Sequence, residues 1–431
     1  MQNFLLSSTV PPIIRETINK ATLREEKGLP IFDFSSGNIG KLLFKINLFD
    51  KIDVKVNENL PLELKVIAEA IKEGILEAYY PTPKGLSYSP TGGSLQIRKL
   101  AIKYFKEVHG VPLNDEDFDK VIVTAGGQQA MTAALRSLKP EAKVFLSRWE
   151  YDVIPAIVKD RGGQVIRIKR NNDLSINIDD LKEKIVENSV FYLSMPNNPT
   201  GYISTQDFEK ILEVLTERGC GMIWDAPYLF TILKLTSNKA EFDRNFLQEK
   251  IDEFKRIIRR YYKNVCIISS LSKTCLMAGL RFGFATASSH WIKLMEAFIG
   301  RETLSSPTSG FTIGAKVLEA FLKNKIVHEW ACKILAQRLT MLIEENLPLI
   351  LPKNGAFGAL YALIKTNKDG TKLADKLINE YGIVAIPGEP FYGQPKNVIR
   401  LSLMATPWVK NDEEWVKSVK MLKKALINYS K

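Results

Sequence analysis

Several polar residues in this 431-residue chain stand directly after apolar runs, and their types suit one kind of chemistry. Lys273 lies in Ser270-Leu271-Ser272-Lys273, after Val265-Cys266-Ile267-Ile268-Ser269, and Gly279-Leu280-Arg281-Phe282-Gly283 follows. An amine just past a buried strand is poorly solvated, and desolvation lowers its pKa. A lysine able to shed its proton can attack a carbonyl and form a Schiff base. Ser270, Ser272 and Arg281 beside it could hold a phosphate.

Four further segments carry matching groups. Gly126-Gly127-Gln128-Gln129 opens a helix after a strand, where free N–H groups and partial positive charge suit an anion; many strand-to-helix turns carry glycines for packing alone. Asn198, in Asn197-Asn198-Pro199-Thr200-Gly201, could donate to a phenolate oxygen without titrating, although Asn-Pro-Thr-Gly is equally a turn sequence. Asp225, in Trp224-Asp225-Ala226-Pro227-Tyr228, suits a buried anion that pairs a protonated pyridine nitrogen, with Tyr228 donating to the same phenolate as Asn198; the alternative is a helix cap before Pro227. Arg400, inside Val398-Ile399-Arg400-Leu401-Ser402, matches a carboxylate with its planar fork, or forms a structural ion pair. A reactive amine with a phosphate holder is what pyridoxal 5'-phosphate (PLP) requires of a protein.

The elements that must position these groups alternate. Strand-like runs at Val121–Thr124, Lys143–Ser147, Val165–Ile168, Val190–Leu193, Gly221–Trp224 and Val265–Ser269 are separated by helical stretches, including Gln128–Leu138, Thr205–Arg218 and Leu247–Tyr262. Repeated strand–helix units imply a mainly parallel sheet covered on both faces. Ligands of such sheets bind beyond the carboxyl ends of the strands, where the polar motifs fall. The expected architecture is a large α/β domain with a mainly parallel sheet flanked by helices, plus a smaller α+β domain. Residues 61–305 are assigned to the large domain and 306–431 to the small one, with 1–60 packing on the small domain or a partner subunit.

Composition narrows the function classes. The chain is 45% hydrophobic and 25% charged, a globular balance. No apolar run reaches the roughly 18 residues of a membrane helix, and Met1–Leu6 lacks a basic leader, so the expected compartment is the cytoplasm. Four scattered cysteines read as reduced, buried thiols, and three distant histidines make no local metal motif. The net charge of +12 favours anionic ligands. Its densest patch, Lys255–Lys263, has apolar residues at helical spacing and reads as a solvated helix face rather than a nucleic-acid contact.

Taken together, these residues resemble the class I/II, aspartate aminotransferase-like family of fold-type I PLP-dependent aminotransferases, over roughly Phe34 to Ser402. The resemblance implies that Lys273 forms the Schiff base with PLP and that Asp225 pairs its pyridine nitrogen. Asn198 and Tyr228 would hold its phenolic oxygen, and Gly127, Gln128, Ser270, Ser272 and Arg281 would surround its phosphate. Tyr151, favoured over Trp149, would stack on the ring. Arg400 would grip the substrate α-carboxylate, and Gly37 would face the substrate. Tyr88, in Tyr-Ser-Pro-Thr-Gly-Gly-Ser-Leu-Gln-Ile-Arg, would reach the phosphate of the neighbouring subunit, which implies a homodimer with shared sites.

Lys273, freed by the substrate amine, would then act as the base, and a second 2-oxo acid, 2-oxoglutarate by default, would complete a ping-pong cycle. Arg301, before Ser305-Ser306-Pro307, invites a dicarboxylate reading in which it crosses the dimer to the distal carboxylate; a helix-end role competes. Aromatic and aliphatic donors stay open. The same catalytic residues would serve a C–S lyase or decarboxylase. A non-catalytic PLP-binding regulator of DNA is disfavoured, because the stretch before Phe34 is short for a DNA-binding domain.

Overall fold

The computed structural model describes residues 2–9, 24, 26–29, 43, 48–404 and 411–430. The apolar runs become strands β1 (Val121–Ala125), β2 (Val144–Ser147), β3 (Val165–Ile168), β4 (Val190–Ser194) and β5 (Gly221–Asp225). The short β6 (Leu233–Leu235) and β7 (Ala240–Glu241) come next, then β8 (Val265–Ser270) and β9 (Phe282–Thr286). Seven of these form one sheet in the order β1-β9-β8-β5-β4-β2-β3. All run parallel except β9, which is antiparallel to both β1 and β8.

Every residue of β2, β4 and β8 is buried, as expected for a sheet covered on both faces. Successive residues alternate between two cores. Phe191 and Leu193 join one core with Trp224, Phe254 and Phe311, whereas Val190 and Tyr192 join the other with Ile223, Ile268 and Trp291. The helices Thr205–Glu217 and Arg244–Tyr261 cover the first face; Gly126–Arg136 and Ser289–Thr303 cover the second. Most of the basic stretch, up to Tyr261, lies on the helix Arg244–Tyr261, which buries Phe254, Ile257 and Ile258 and turns Arg260 outward to Glu209.

A second sheet holds β10 (Leu349–Ile350), β12 (Tyr361–Lys365), β13 (Ile386–Pro387) and β14 (Val398–Ser402), all antiparallel. Its core adds Leu335 and Leu339 of the helix Glu329–Glu344 and Trp415 and Leu422 of the helix Asp412–Ser430. Between the two sheets, β11 (Ala356–Phe357) pairs with β6, so a hairpin of the large unit is stitched to the small one.

Core membership refines the picture drawn from sequence. The helix Thr308–Asn324 places Phe311, Val317 and Phe321 in the core that contains Phe282 and Phe284 of the large sheet, and the small-sheet core takes up the chain again at Cys332. The first residues differ from expectation: Phe4 is fully buried against Trp291, with ring centroids 5.5 Å apart, and Leu6 N–H donates to Ser137. Phe4 and Leu5 join the core of the large unit that contains Leu138 and Trp291; burying such a side chain contributes about 2 kcal/mol.

Candidate active site

The strand ends meet as the alternation requires. Asp225 ends β5, Lys273 sits on the one-turn helix Leu271–Thr274 after β8, Asn198 follows β4, and Gly126 begins the helix after β1. Arg400 enters from β14 of the small sheet. One cleft of about 430 Å³ takes in Lys273, Asp225, Asn198, Tyr228 and Arg400, together with Tyr151, Gly127, Gln128, Ser270, Ser272 and Arg281.

One end of the cleft is built for an anion. The helix Gly126–Arg136 starts without a side-chain cap, which leaves its first N–H groups open. Gly126 has φ +79°, and a Cβ there would lie 2.4 Å from Nη2 of Arg281. Arg281 adopts a left-handed backbone (φ 57°) and donates to the carbonyls of Ala278 (2.7 Å) and Ala125 (3.1 Å). Its guanidinium therefore lies across the open helix end, which is the donor set a phosphate needs. Gly283 lets β9 pass this turn, since a Cβ would fall 2.4 Å from the Gly126 carbonyl carbon.

The middle of the cleft suits a flat polar ring. Asp225 lies at its floor and accepts a 2.7 Å hydrogen bond from Tyr192. Burial pushes its carboxyl up to about 6, while the Tyr192 bond and the Lys273 charge pull it down. Tyr228 is buried and donates to the hydroxyl of Tyr361 at 3.4 Å. The hydroxyl of Tyr151 donates to Oε1 of Gln128 at 3.2 Å. Trp149 turns away, its ring packed against Tyr392 at 4.8 Å. Of the two aromatics, Tyr151 is therefore the one that faces the cleft.

Behind Asn198 lies a buried polar scaffold around Glu150. Glu150 accepts from the side chains of Ser194 and Asn197, and burial pushes its carboxyl up to about 7. Asn197 accepts from Thr200 at 2.6 Å, and a Cβ on Gly201 (φ +71°) would strike Phe357 at 2.2 Å. Asn-Asn-Pro-Thr-Gly thus divides its labour: Asn197 and Gly201 shape the loop, and Asn198 faces the cleft.

At the far end, Arg400 donates from Nη1 to Oδ1 of Asn198 at 3.0 Å and stands 4.1 Å over the Tyr361 ring. Its Nε is buried without an acceptor among the described residues. A buried donor left open costs about 1–3 kcal/mol, which a bound carboxylate would recover.

Neither Tyr88 nor Arg301 lines this cleft within one chain. Tyr88 is 51% exposed, in a segment tied to Ser306 through Ser89. Arg301 is exposed at the end of the helix Ser289–Thr303, where it donates to Thr9 and stacks on Phe298. Gly37 lies outside the described residues. Sequence reasoning missed Tyr192, Glu150 and Tyr361. A tyrosine in an otherwise apolar strand and a glutamate between two aromatics were usable signals, since buried polar groups need partners; Tyr361 had none.

All four cysteines are free and buried. Among the described residues no cluster of His, Cys, Asp or Glu could hold a metal ion, and no helix is long and apolar enough to cross a membrane.

A family model described as aminotransferase class I and II matches residues 50–419. The chain is 25% identical to the aspartate aminotransferase of Pyrococcus horikoshii over 392 residues, 83% of this chain and 91% of the relative. It is 25% identical to aromatic-amino-acid aminotransferase 2 of Thermococcus litoralis over 365 residues, 82% of this chain and 88% of the relative. The solved structure of Thermus thermophilus aspartate aminotransferase with maleate shares the fold, with a TM-score of 0.70 at 20% identity and 97% of each chain covered.

Proposed function

Because the chain belongs to the aminotransferase class I and II family, we propose that it transfers the amino group of an L-amino acid to a 2-oxo acid, with PLP carried on Lys273. The observation that supports this most is one cleft holding an amine, a buried carboxylate, an anion-binding helix end and a guanidinium whose Nε has no acceptor among the described residues. When bound, PLP supplies an electron-withdrawing ring that stabilises negative charge at the substrate α-carbon.

The chain's own groups do the rest. Lys273 gives the covalent attachment and, once released, moves the α-proton as a general base and acid. Asp225 keeps positive charge on the ring nitrogen. Asn198 and Tyr228 donate to the ring oxygen, and Tyr151 covers one ring face. The helix start at Gly127 and Gln128, with Ser270, Ser272 and Arg281, takes the phosphate. Arg400 binds the substrate α-carboxylate in two parallel hydrogen bonds, which orients the α-carbon over Lys273. The two half-reactions share one site, so the kinetics are ping-pong, with 2-oxoglutarate the default acceptor.

The reading extends to a homodimer in which Tyr88 reaches the partner's phosphate and Arg301 the distal carboxylate of a dicarboxylic donor. The exposure of both residues supports it, as do relatives named aspartate aminotransferase. The relative named for aromatic amino acids keeps an aromatic donor in view. Free buried thiols fit a reducing compartment, the cytoplasm.

Borohydride reduction of the PLP-loaded protein should label Lys273, and Lys273→Ala should abolish transfer across a panel of amino-acid donors with 2-oxoglutarate. Full activity of that variant would reject the assignment. Release of ammonia together with a thiol and pyruvate, or of carbon dioxide, in place of the donor's own 2-oxo acid in stoichiometric amount would place the chain with the lyases or decarboxylases instead. A bound cofactor whose visible absorbance never bleaches with any amino acid would make it a binder.

A further inference from the structure

Tyr192 and Asp225 lie on neighbouring strands. In the parallel ladder of β4 and β5, Ser194 stands opposite Asp225 and Tyr192 opposite Ile223. Side chains two residues apart share a face, so Tyr192 and Asp225 emerge on the same side of the sheet. The tyrosine is fully buried, and its hydroxyl donates to Oδ2 of Asp225 at 2.7 Å. Burial holds the phenol well above its ordinary pKa, so it stays a donor.

We propose that Tyr192 is a positioning residue for Asp225: its hydroxyl takes Oδ2, favours the charged carboxylate, and leaves Oδ1 to meet the ring nitrogen of the cofactor. The proposal rests on the PLP reading above. The ionisable groups that face Asp225 are Tyr151 after β2, Tyr192 on β4, Tyr228 after β5 and Lys273 after β8. Among the described residues, Tyr192 is the side chain whose hydrogen bond the Asp225 carboxylate receives. A hydrogen bond to the charged form opposes the desolvation that would neutralise a carboxylate at this depth. The ring of Tyr192 fills the core beside Ile223 and Ile268. Phenylalanine would fill that space equally, so packing alone does not account for the hydroxyl.

The test uses the PLP-loaded protein and follows the visible absorption band against pH. Positive charge on the ring nitrogen makes the linkage nitrogen of Lys273 a weaker base. Tyr192→Phe loosens the hold on the ring proton, so the midpoint of the band titration should rise by about one pH unit. The same variant should lose about tenfold in kcat, about 1.4 kcal/mol, with the donor KM little changed. In an Asp225→Asn background the substitution should add nothing further. Replacing Tyr192 by 3-fluorotyrosine, a stronger donor of nearly the same shape, should lower the midpoint; it also keeps the test open should Tyr192→Phe fold poorly.

A normal wild-type titration whose midpoint neither replacement moves overturns the role of Tyr192 alone. So does a Tyr192→Phe effect that persists undiminished without Asp225. A wild-type chain that takes up no PLP overturns the cofactor reading, and this proposal with it.

Discussion

Arg400 donates from Nη1 to Oδ1 of Asn198 at 3.0 Å across 202 positions of sequence. The bond joins β14 of the small sheet to the loop after β4 of the large one. The group assigned to the substrate carboxylate and the group assigned to the ring oxygen are therefore held in one geometry. The aromatic rings of Tyr361 and Phe391 flank the guanidinium at 4.1 and 4.5 Å and fix its plane.

Arg400→Lys should be far from conservative. Lysine keeps the charge but loses the fork, so donor kcat/KM should fall about a hundredfold, about 2.7 kcal/mol. The spectrum of bound PLP should stay as in the parent. Steady-state kinetics with several donors checks this, and an unchanged kcat/KM would contradict the assigned role.

Gly126→Ala should differ from Gly127→Ala. A side chain at 126 meets both a positive φ and the Arg281 guanidinium, whereas one at 127 finds its nearest neighbour at 3.6 Å. The first variant should lose about 1–2 kcal/mol of stability and the second much less. The displaced guanidinium should also weaken PLP binding about tenfold in Gly126→Ala. Thermal melts and PLP titrations of the two variants, run side by side, decide it.

Arg301→Ala addresses the donor. With a dicarboxylic substrate and a shared dimer site, aspartate turnover should drop at least about tenfold while phenylalanine turnover is unchanged, the loss expected for one charged contact. Indifference of aspartate turnover would defeat the dicarboxylate reading and leave the residue as a helix-end group.

Acid should destabilise the fold through two buried histidines. Burial lowers His109 from 6.5 to about 3 and His328 to about 4, and among the described residues the ring nitrogens of both have no hydrogen-bond partner. The unfolded chain binds these protons and the folded chain refuses them, so stability falls as pH drops below 6.5. Each histidine should cost about 1.6 kcal/mol between pH 6.5 and pH 5. His109→Leu should remove its share of that slope. Urea midpoints at the two pH values measure this, and a variant that loses as much as the parent would refute the account.

Local signals carried much of the site. Lys273, Asp225, Asn198 and the Gly126-Gly127 turn each follow an apolar run that reads directly as a strand, and strand ends in such sheets converge. Burial on both faces makes those runs continuous and therefore easy to see. Helices with amphipathic spacing, such as Arg244–Tyr261, were equally plain, with boundaries a few residues off.

Tertiary structure decided what depends on a distant partner. The antiparallel β9 carries no local mark of its direction; its place between β1 and β8 comes from pairing with both. The helix Thr308–Asn324 is apolar on one face whichever core it joins, and contact with Phe282 and Phe284 settles the choice. Tyr192 signals only a buried hydroxyl in need of a partner until the register with β5 sets Asp225 beside it. The sequence by itself determined which chemical groups exist and which strand ends carry them, because those follow from short-range periodicity. Which groups touch was decided by the register and packing of segments far apart in the chain, which no local pattern encodes.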